Sequence, residues 1–98
     1  MSEPSRYLVS YDITDERRLR HVYQALRGYG DHVQYSVFIC ELSARERAQM
    51  IATLQPLIDH AADQVIIVDL GPAHGRAESC VQALGLPYTH PNRHAIVV

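Results

Sequence analysis

The stretch YLVSYDITDERRLRHVYQALRGYG, residues 7–30, decides the fold because it changes from a strand period to a helix period within a few residues. Its first part, 7–13, is dense in β-branched and aromatic residues, which predicts a buried strand. From 15 to 29 the apolar residues recur at helical spacing and acids occupy the first turn, which predicts a helix. Asp15 is a suitable residue to cap that helix, and Gly30 is placed to end it in a left-handed conformation.

Three further segments continue the alternation of strand and helix. Residues 31–42 form a second β-rich stretch, which the pattern allows as one bent strand or as two. Ser43 and Glu46 have the spacing of a capping box that opens a second helix, and Pro56 is expected to loosen the last turn of that helix. The apolar run 64–70 is too short for a helix and predicts a third buried strand.

The C-terminal part of the chain carries weaker signals. Residues 76–84 are predicted to form a short helix ended by Gly85, and residues 95–98 are apolar enough to form a final strand at a sheet edge. The order of the elements implies an α+β sandwich in which two helices cover one face of the sheet. Because the other face is then bare, we expect a second copy to stack on it, with the C-terminal strand extending to the partner subunit.

The composition is that of one folded domain spanning residues 1–98, with a short tail at 1–5 and a dimer-clasping segment at 86–98. The chain has 98 residues, 47% of them hydrophobic. So short a chain buries only about 60–65% of its unfolded surface, which favours a homodimer. No apolar run suits a membrane span and no export signal is visible, so we expect a cytoplasmic protein without a membrane partner. Cys40 and Cys80 match no metal or redox spacing, and both are expected as buried, reduced thiols.

The charge balance limits the kind of nucleic-acid site that the chain can carry. The net charge is −2 and all nine cations are arginine, so such a site must be local rather than a basic coat. The six histidines show no zinc spacing and are expected at the surface. The sequence also lacks a catalytic serine motif, a phosphate loop and a dinucleotide motif, which argues against acyl transfer, NTP hydrolysis and a nucleotide cofactor.

Asp12 stands at the C-terminal end of the first predicted strand, where an aspartate commonly caps the following helix, although Thr14 and Asp15 are better placed caps. Arg17, Arg18 and Arg20 follow closely enough for some of them to bracket a phosphate. A solvated helix face is the commoner explanation of such a cluster.

The segment quoted above, followed by QYSVFICEL at 34–42 and VIIVDLGP at 65–72, resembles the CRISPR-associated protein 2 family across nearly the whole chain. Each motif alone is weak, but their order and spacing are jointly specific. The resemblance implies a ferredoxin-like fold and a homodimer. It also implies that the stretch 31–42 divides into two strands near Tyr35 or Ser36.

The resemblance implies roles for residues at matching positions. Asp12 matches the family's metal-site carboxylate and would face its symmetry mate across the dimer axis, so that two copies hold one Mg²⁺ between them. Arg17, Arg18 and Arg20 fall where family members carry functional arginines, and we favour Arg18 and Arg20 as phosphate ligands.

Three neighbouring residues are expected to support that site. Tyr11 precedes Asp12 on the alternate face of the strand and is expected in the core or in a dimer interface. Ser36 and Phe38 belong to the Ser-Val-Phe motif, whose phenylalanine lies near the site in the family. The residues after Phe38 begin with Ile39, where the family more often continues with an acid, so we expect no acidic role there.

The resemblance implies functions of two classes. The first is a Mg²⁺-dependent endonuclease, a phosphodiester hydrolase acting on single-stranded RNA or double-stranded DNA, with Asp12 as the catalytic carboxylate. The second is a non-catalytic adaptor that bridges subunits of the CRISPR-associated protein 1 integrase and binds prespacer DNA during spacer acquisition. We rank the role in CRISPR adaptation above cleavage. A third class, an unrelated regulatory module that binds a small ligand, is favoured by no motif.

Overall fold

Strands and helices alternate along the chain in the order that the sequence predicts. The computed structural model describes residues 3–88. Within this range the elements are β1 (Ser5–Asp12), α1 (Glu16–Leu26), β2 (Asp31–Gln34), β3 (Val37–Leu42), α2 (Ala44–Leu54) and β4 (Gln64–Pro72), with short 3₁₀ turns at Gln55–Leu57 and Arg76–Glu78. Neither α1 nor α2 is long and apolar enough to cross a membrane, and the described residues contain no other candidate span.

The strands in the described range form one antiparallel sheet in the order β2-β3-β1-β4, which is the ferredoxin-like arrangement. Strand β1 pairs with β3 on one side and with β4 on the other. The end of β1 is therefore held between two neighbours, with Asp12 opposite Gln64. The prediction of an α+β, ferredoxin-like sandwich is confirmed.

Both helices pack on the same face of the sheet, as predicted. Alternate residues of β1 face the helices, because successive side chains of a strand point to opposite sides of the sheet. The buried residues of this core come from β1, α1, β3 and α2, and they are Tyr7, Val9, Tyr11, Val22, Leu26, Phe38, Cys40, Leu42, Met50 and Leu54.

A short turn divides the stretch 31–42 into β2 and β3, which confirms the position that the resemblance implied. The turn consists of Tyr35 and Ser36. Tyr11 donates its backbone N–H to the Ser36 carbonyl at 3.1 Å, and a ring nitrogen of His32 lies 2.6 Å from the Tyr35 carbonyl oxygen. The first contact ties the turn to the end of β1, and the second ties it to β2.

The end of α1 differs from the prediction. The helix runs only to Leu26, and Gly30 does not have a left-handed backbone conformation, so its expected role as a cap is wrong. Glycine is needed there for another reason. A Cβ atom on Gly30 would lie 2.5 Å from the Ile39 carbonyl oxygen and 2.9 Å from Cys40 Cα. The chain can therefore pass this close to β3 only without a side chain.

The second helix follows the prediction at both ends. Ser43 Oγ accepts a hydrogen bond from the Glu46 backbone N–H at 3.1 Å, and the Glu46 carboxylate accepts one from the Ser43 N–H at 2.9 Å. This capping box satisfies two donors at the start of the helix. At the other end, α2 ends at Leu54 and is followed by the 3₁₀ turn that contains Pro56. The α-helix does not continue because proline lacks the N–H that a regular helical turn requires.

The prediction of a helix over 76–84 is wrong. Only Arg76–Glu78 forms a 3₁₀ turn, and Ser79 closes it by donating its N–H to the first carbonyl of that turn at 3.0 Å. The Ser79 hydroxyl also donates to that carbonyl, at 3.4 Å, and such local side-chain hydrogen bonds compete with the continuation of a helix. The predicted strand at 95–98 and most of the predicted clasp at 86–98 lie outside the described residues.

The two cysteines have different environments. Cys40 is buried in the core, as expected, whereas Cys80 is exposed, so the expectation of a second buried thiol is wrong. The reason is that the helix expected around Cys80 does not form. Its thiol instead lies 3.4 Å from the Ala77 carbonyl oxygen, at the end of the 3₁₀ turn.

The sheet face opposite the helices is only partly covered. On β4, Ile66 and Val68 remain 48% and 42% exposed. Nearer to β3, Leu8 and Ile39 line a cavity together with residues from the segment 81–88. Within the described residues, the apolar surface predicted for this face is thus covered beside β3 and open at β4.

Candidate functional site

Asp12 is the last residue of β1 and is exposed at the end of the sheet. Within residues 3–88, no side chain or backbone group makes a hydrogen bond or ion pair with its carboxylate. Helix α1 is capped instead by Asp15, whose carboxylate accepts a hydrogen bond from the Arg18 N–H at 2.9 Å. The helix-cap interpretation of Asp12 is therefore wrong, and its carboxylate is available to an external ligand.

Asp12 borders an open cavity of about 530 Å³ where the end of β1, the first turns of α1 and the β2–β3 turn meet. Glu16 and Arg20 line this cavity from α1, one helical turn apart. Tyr35 and Ser36 line it from the turn, and Tyr35 is 90% exposed. The cavity therefore brings together two carboxylates, a guanidinium and the exposed phenol of Tyr35. Sequence reasoning missed Glu16 and Tyr35 as site residues, although Glu16 is an acid in the first turn of the helix that follows Asp12 and Tyr35 adjoins Ser36 in its motif.

The three arginines of α1 have different environments. Arg20 lines the cavity, whereas Arg17 is exposed and does not belong to the cavity lining. Arg18 has partners elsewhere, since its Nε lies 2.8 Å from the Asp63 carboxylate and another guanidinium nitrogen lies 3.2 Å from Thr14 Oγ1. Arg20 is thus the one of the three that is placed to meet a phosphate in this cavity.

Asp63, just before β4, is a buried acceptor that sequence reasoning missed. Its side chain has no exposed surface, and it accepts hydrogen bonds from the Thr14 N–H, Thr14 Oγ1 and the Asp59 N–H at 2.8–3.0 Å. The hydrogen bond from Arg18 holds the pKa of Asp63 well below its usual range, against the opposing effect of burial. No local pattern marks Asp63, because Thr14 and Arg18 lie 49 and 45 residues away in the chain.

The residues expected to support the site belong mainly to the core behind it. Tyr11 is 5% exposed and Phe38 is fully buried, with their ring centroids 6.2 Å apart. Phe38 also contacts the rings of Tyr23 and His32 at centroid distances of 5.6 and 5.1 Å. Burial raises the pKa of the Tyr11 phenol, and Tyr23 adds a smaller effect, so the phenol stays neutral. Of this group, Tyr11, Tyr23 and Ser36 also reach the cavity.

The described residues form no complete metal site within one protomer. Residues 3–88 contain no group of three or more His, Cys, Asp or Glu side chains that could hold a metal ion. The histidines in this range are all exposed, as predicted, and they are His21, His32, His60 and His74. A single protomer therefore offers a carboxylate pair at the cavity rather than a closed set of ligands.

Fold and site together define a ferredoxin-like α+β protein with an exposed carboxylate and an arginine in one cavity at the end of its first strand. The sequence model of the family described as CRISPR associated protein Cas2 matches residues 5–75. That match covers well over half of the 98 residues. The chain belongs to the Cas2 family, which confirms the resemblance seen in its motifs.

Individual relatives and a solved structure agree with this assignment. The CRISPR-associated endoribonuclease Cas2 1 of Rhodospirillum rubrum is 40% identical, over 94% of this chain and 89% of its own length. The CRISPR-associated endoribonuclease Cas2 of Geobacter sulfurreducens is 37% identical, over 94% of this chain and 96% of its own length. The crystal structure of Streptococcus pyogenes Cas2 has a TM-score of 0.72 at 33% identity, covering 82% of this chain and 99% of that one.

Proposed function

We propose that this chain acts in CRISPR adaptation as a homodimer in which the two Asp12 carboxylates hold one Mg²⁺ and promote cleavage of a phosphodiester bond in RNA or DNA. The observation that carries the proposal is the exposed Asp12, without a protein partner in the described range, which shares a cavity with Arg20. The names of the Rhodospirillum and Geobacter relatives, both endoribonucleases, support cleavage as the reaction.

Two features of the described residues support a second copy. One protomer offers too few ligands to enclose a metal ion, since residues 3–88 hold no group of three ligating side chains. In addition, Ile66 and Val68 remain exposed on the sheet face opposite the helices. Asp12 alternates with the core residue Tyr11 and so belongs to that same face. A copy stacked there would bury apolar surface and bring the ends of the two β1 strands toward one axis.

The donor chemistry at the cavity fits Mg²⁺. This ion prefers oxygen ligands, keeps several waters and is often held by one or two carboxylates together with substrate phosphates. Asp12 would supply one carboxylate from each copy, and Glu16 is a further carboxylate at the same cavity. When bound, Mg²⁺ would supply Lewis-acid polarisation of the phosphoryl group and a more acidic water.

The chain's own residues would bind and orient the substrate. Arg20 carries a planar, permanently charged guanidinium, whose paired N–H groups match two phosphate oxygens. Tyr11 and Phe38 are buried behind the cavity, so they hold the end of β1 in place while the substrate binds. A phosphate bound by Arg20 would then lie in the same cavity as the carboxylate of Asp12.

Three single variants test the proposal. Asp12→Asn keeps the size of the side chain and removes its charge, so Mg²⁺-dependent cutting of labelled RNA and DNA should fall by more than about 100-fold. Arg20→Ala should weaken oligonucleotide binding by about 10-fold or more, the loss expected for one charged hydrogen-bonding group. Arg17→Ala, on the same helix but outside the cavity, is the matched control and should bind almost normally. Wild-type cutting rates in Asp12→Asn would contradict the metal assignment.

A second candidate is a non-catalytic adaptor that bridges subunits of the CRISPR-associated protein 1 integrase and holds prespacer DNA. The small number of carboxylates at the cavity favours it, because Asp12 and Glu16 are the only carboxylates that line it and no third ligating side chain joins them within residues 3–88. Spacer uptake in cells separates the two candidates. If Asp12→Asn abolishes cutting in vitro but leaves uptake intact, the adaptor is the physiological function. If both are lost together, the metal site is needed for adaptation.

A further inference from the structure

We propose that Asp63 is a positioning residue for Asp12: by holding Thr14, it fixes the loop that follows Asp12 and so sets the direction of the metal-site carboxylate. The inference rests on the proposed role of Asp12 and extends that site to Asp63, which is distant in sequence and directly precedes β4. It is carried by the hydrogen bonds of one buried carboxylate.

The Asp63 carboxylate joins the β1–α1 loop, helix α1 and the turn before β4. Its Oδ1 accepts hydrogen bonds from the Thr14 N–H at 2.9 Å and from Thr14 Oγ1 at 3.0 Å. Its Oδ2 accepts hydrogen bonds from Arg18 Nε and from the Asp59 N–H, each at 2.8 Å. Because the side chain has no exposed surface, water does not compete for these donors at the carboxylate.

Asp12 is held by its neighbours on both sides along the chain. On one side, Tyr11 is buried and donates its N–H to the Ser36 carbonyl at 3.1 Å. On the other side, Thr14 is held by Asp63, with a single residue in between. Since the Asp12 side chain makes no hydrogen bond within residues 3–88, its direction depends on the backbone that carries it.

The pairing of the sheet brings Asp63 to the same place. Asp12 pairs with Gln64 where β1 ends and β4 begins, and Asp63 directly precedes Gln64. The Asp63 carboxylate thus binds the β1–α1 loop just beyond the last backbone pairing of β1 with β4. Without it, this loop would be the part of the site that opens most easily. The hydrogen bond from Arg18 holds the pKa of Asp63 well below its usual range, so Asp63 is an ionised acceptor at neutral pH.

The test compares Asp63→Ala with Met50→Ala, a variant of the core residue Met50 in α2 that lowers stability and leaves every hydrogen bond of Thr14 in place. Both are measured as full-length protein, at a temperature where each is folded. In Asp63→Ala we expect two changes, faster hydrogen exchange of the Thr14 amide in metal-free protein and an affinity for Mn²⁺, used as the probe, that is lower by about 10–100-fold. Met50→Ala should keep the wild-type Thr14 exchange and Mn²⁺ affinity. A purely stabilising role for Asp63 would make the two variants alike and would overturn the proposal.

Two further variants keep the proposal testable if Asp63→Ala does not fold. Asp63→Asn retains an oxygen acceptor for Thr14, and Arg18→Met removes the ion pair and the contact of Arg18 with Thr14 Oγ1 while leaving both hydrogen bonds from Thr14 to Asp63 in place. Both should therefore bind Mn²⁺ more tightly than Asp63→Ala, and within about threefold of the wild type. If Asp63→Asn and Arg18→Met bind Mn²⁺ as weakly as Asp63→Ala does, while hydrogen exchange of the Thr14 amide stays at the wild-type rate, the proposal that Asp63 acts through Thr14 is overturned.

Failure of the metal site itself gives a different result. If Asp12→Asn binds Mn²⁺ as tightly as the wild type, the proposed function fails whatever Asp63 does. If Asp12→Asn loses Mn²⁺ binding and Asp63→Ala keeps both wild-type affinity and wild-type Thr14 exchange, only the positioning role of Asp63 is overturned.

Discussion

Replacing Gly30 by alanine should destabilise the protein, because the chain passes very close to β3 at this point. The added Cβ would lie 2.5 Å from the Ile39 carbonyl oxygen and 2.9 Å from Cys40 Cα, well inside van der Waals contact. These two obstacles are backbone atoms of an inner strand, which cannot swing aside as the end of a flexible side chain can, and the added Cβ would also meet the side-chain sulfur of buried Cys40. The turn before β2 or strand β3 must therefore move by roughly 0.5 Å or more.

The expected loss combines two opposing effects. Overpacking a well-packed region costs about 1–3 kcal/mol, and backbone obstacles place this case at the upper end. Replacing glycine by alanine also restricts the unfolded chain, which by itself raises the free energy of unfolding by about 0.4–1 kcal/mol. The net decrease in the free energy of unfolding is then about 2 kcal/mol, which lowers the Tm of a domain of this size by roughly 8–16 °C.

Urea unfolding followed by circular dichroism, at one fixed protomer concentration, measures this loss. Gly28→Ala is the matched control, because its Cβ would lie 3.4 Å from the Ala25 carbonyl oxygen. Its free energy of unfolding should change by less than about 0.5 kcal/mol. A change equally small in Gly30→Ala would refute the steric argument. Full rescue of Gly30→Ala by Cys40→Ala would also refute it, since the backbone obstacles remain in the double variant.

Three other predictions concern pH, the helix cap and the core. The native pKa of Asp63 lies below its unfolded value, so ionised Asp63 stabilises the fold above about pH 4 and this contribution is lost as the pH falls further. Asp63→Asn should therefore lose less stability than the wild type between about pH 4 and pH 2 in urea titrations, since the loss begins near the unfolded pKa of Asp63 and continues below it, and equal losses would disprove the assignment. Ser43→Ala removes one half of the capping box and should lower the free energy of unfolding by about 1 kcal/mol, with Glu46→Ala costing no more. Met50→Ala removes a fully buried side chain and should cost about 2–5 kcal/mol by thermal or urea unfolding, whereas exposed Gln49→Ala should stay within about 0.5 kcal/mol.

The elements that could be predicted from the sequence depend on neighbours in the chain. The strand ending at Asp12, the Asp15 cap and the capping box at Ser43 are all set by residues within one or two helical turns, so their patterns are visible locally. The same holds for the turn at Tyr35, which the family motif marks. The predicted helix over 76–84 was wrong because hydrogen bonds within a short 3₁₀ turn outweighed weak helical spacing.

The roles of individual polar residues were decided by contacts between distant segments. The sequence could not rank Arg18 against Arg20, since only the fold brings Asp63 to Arg18 and leaves Arg20 at the cavity with Asp12. Likewise, the need for glycine at position 30 comes from β3 and not from the end of α1.

The sequence by itself therefore determined the order of strands and helices, the family and the position of Asp12 at the end of β1. Tertiary structure alone decided which arginine is already paired, where a buried carboxylate anchors the loop and where a side chain has no room. The physical reason is one of range. Backbone period and capping act over a few residues, whereas burial and ion pairing join groups that lie tens of residues apart.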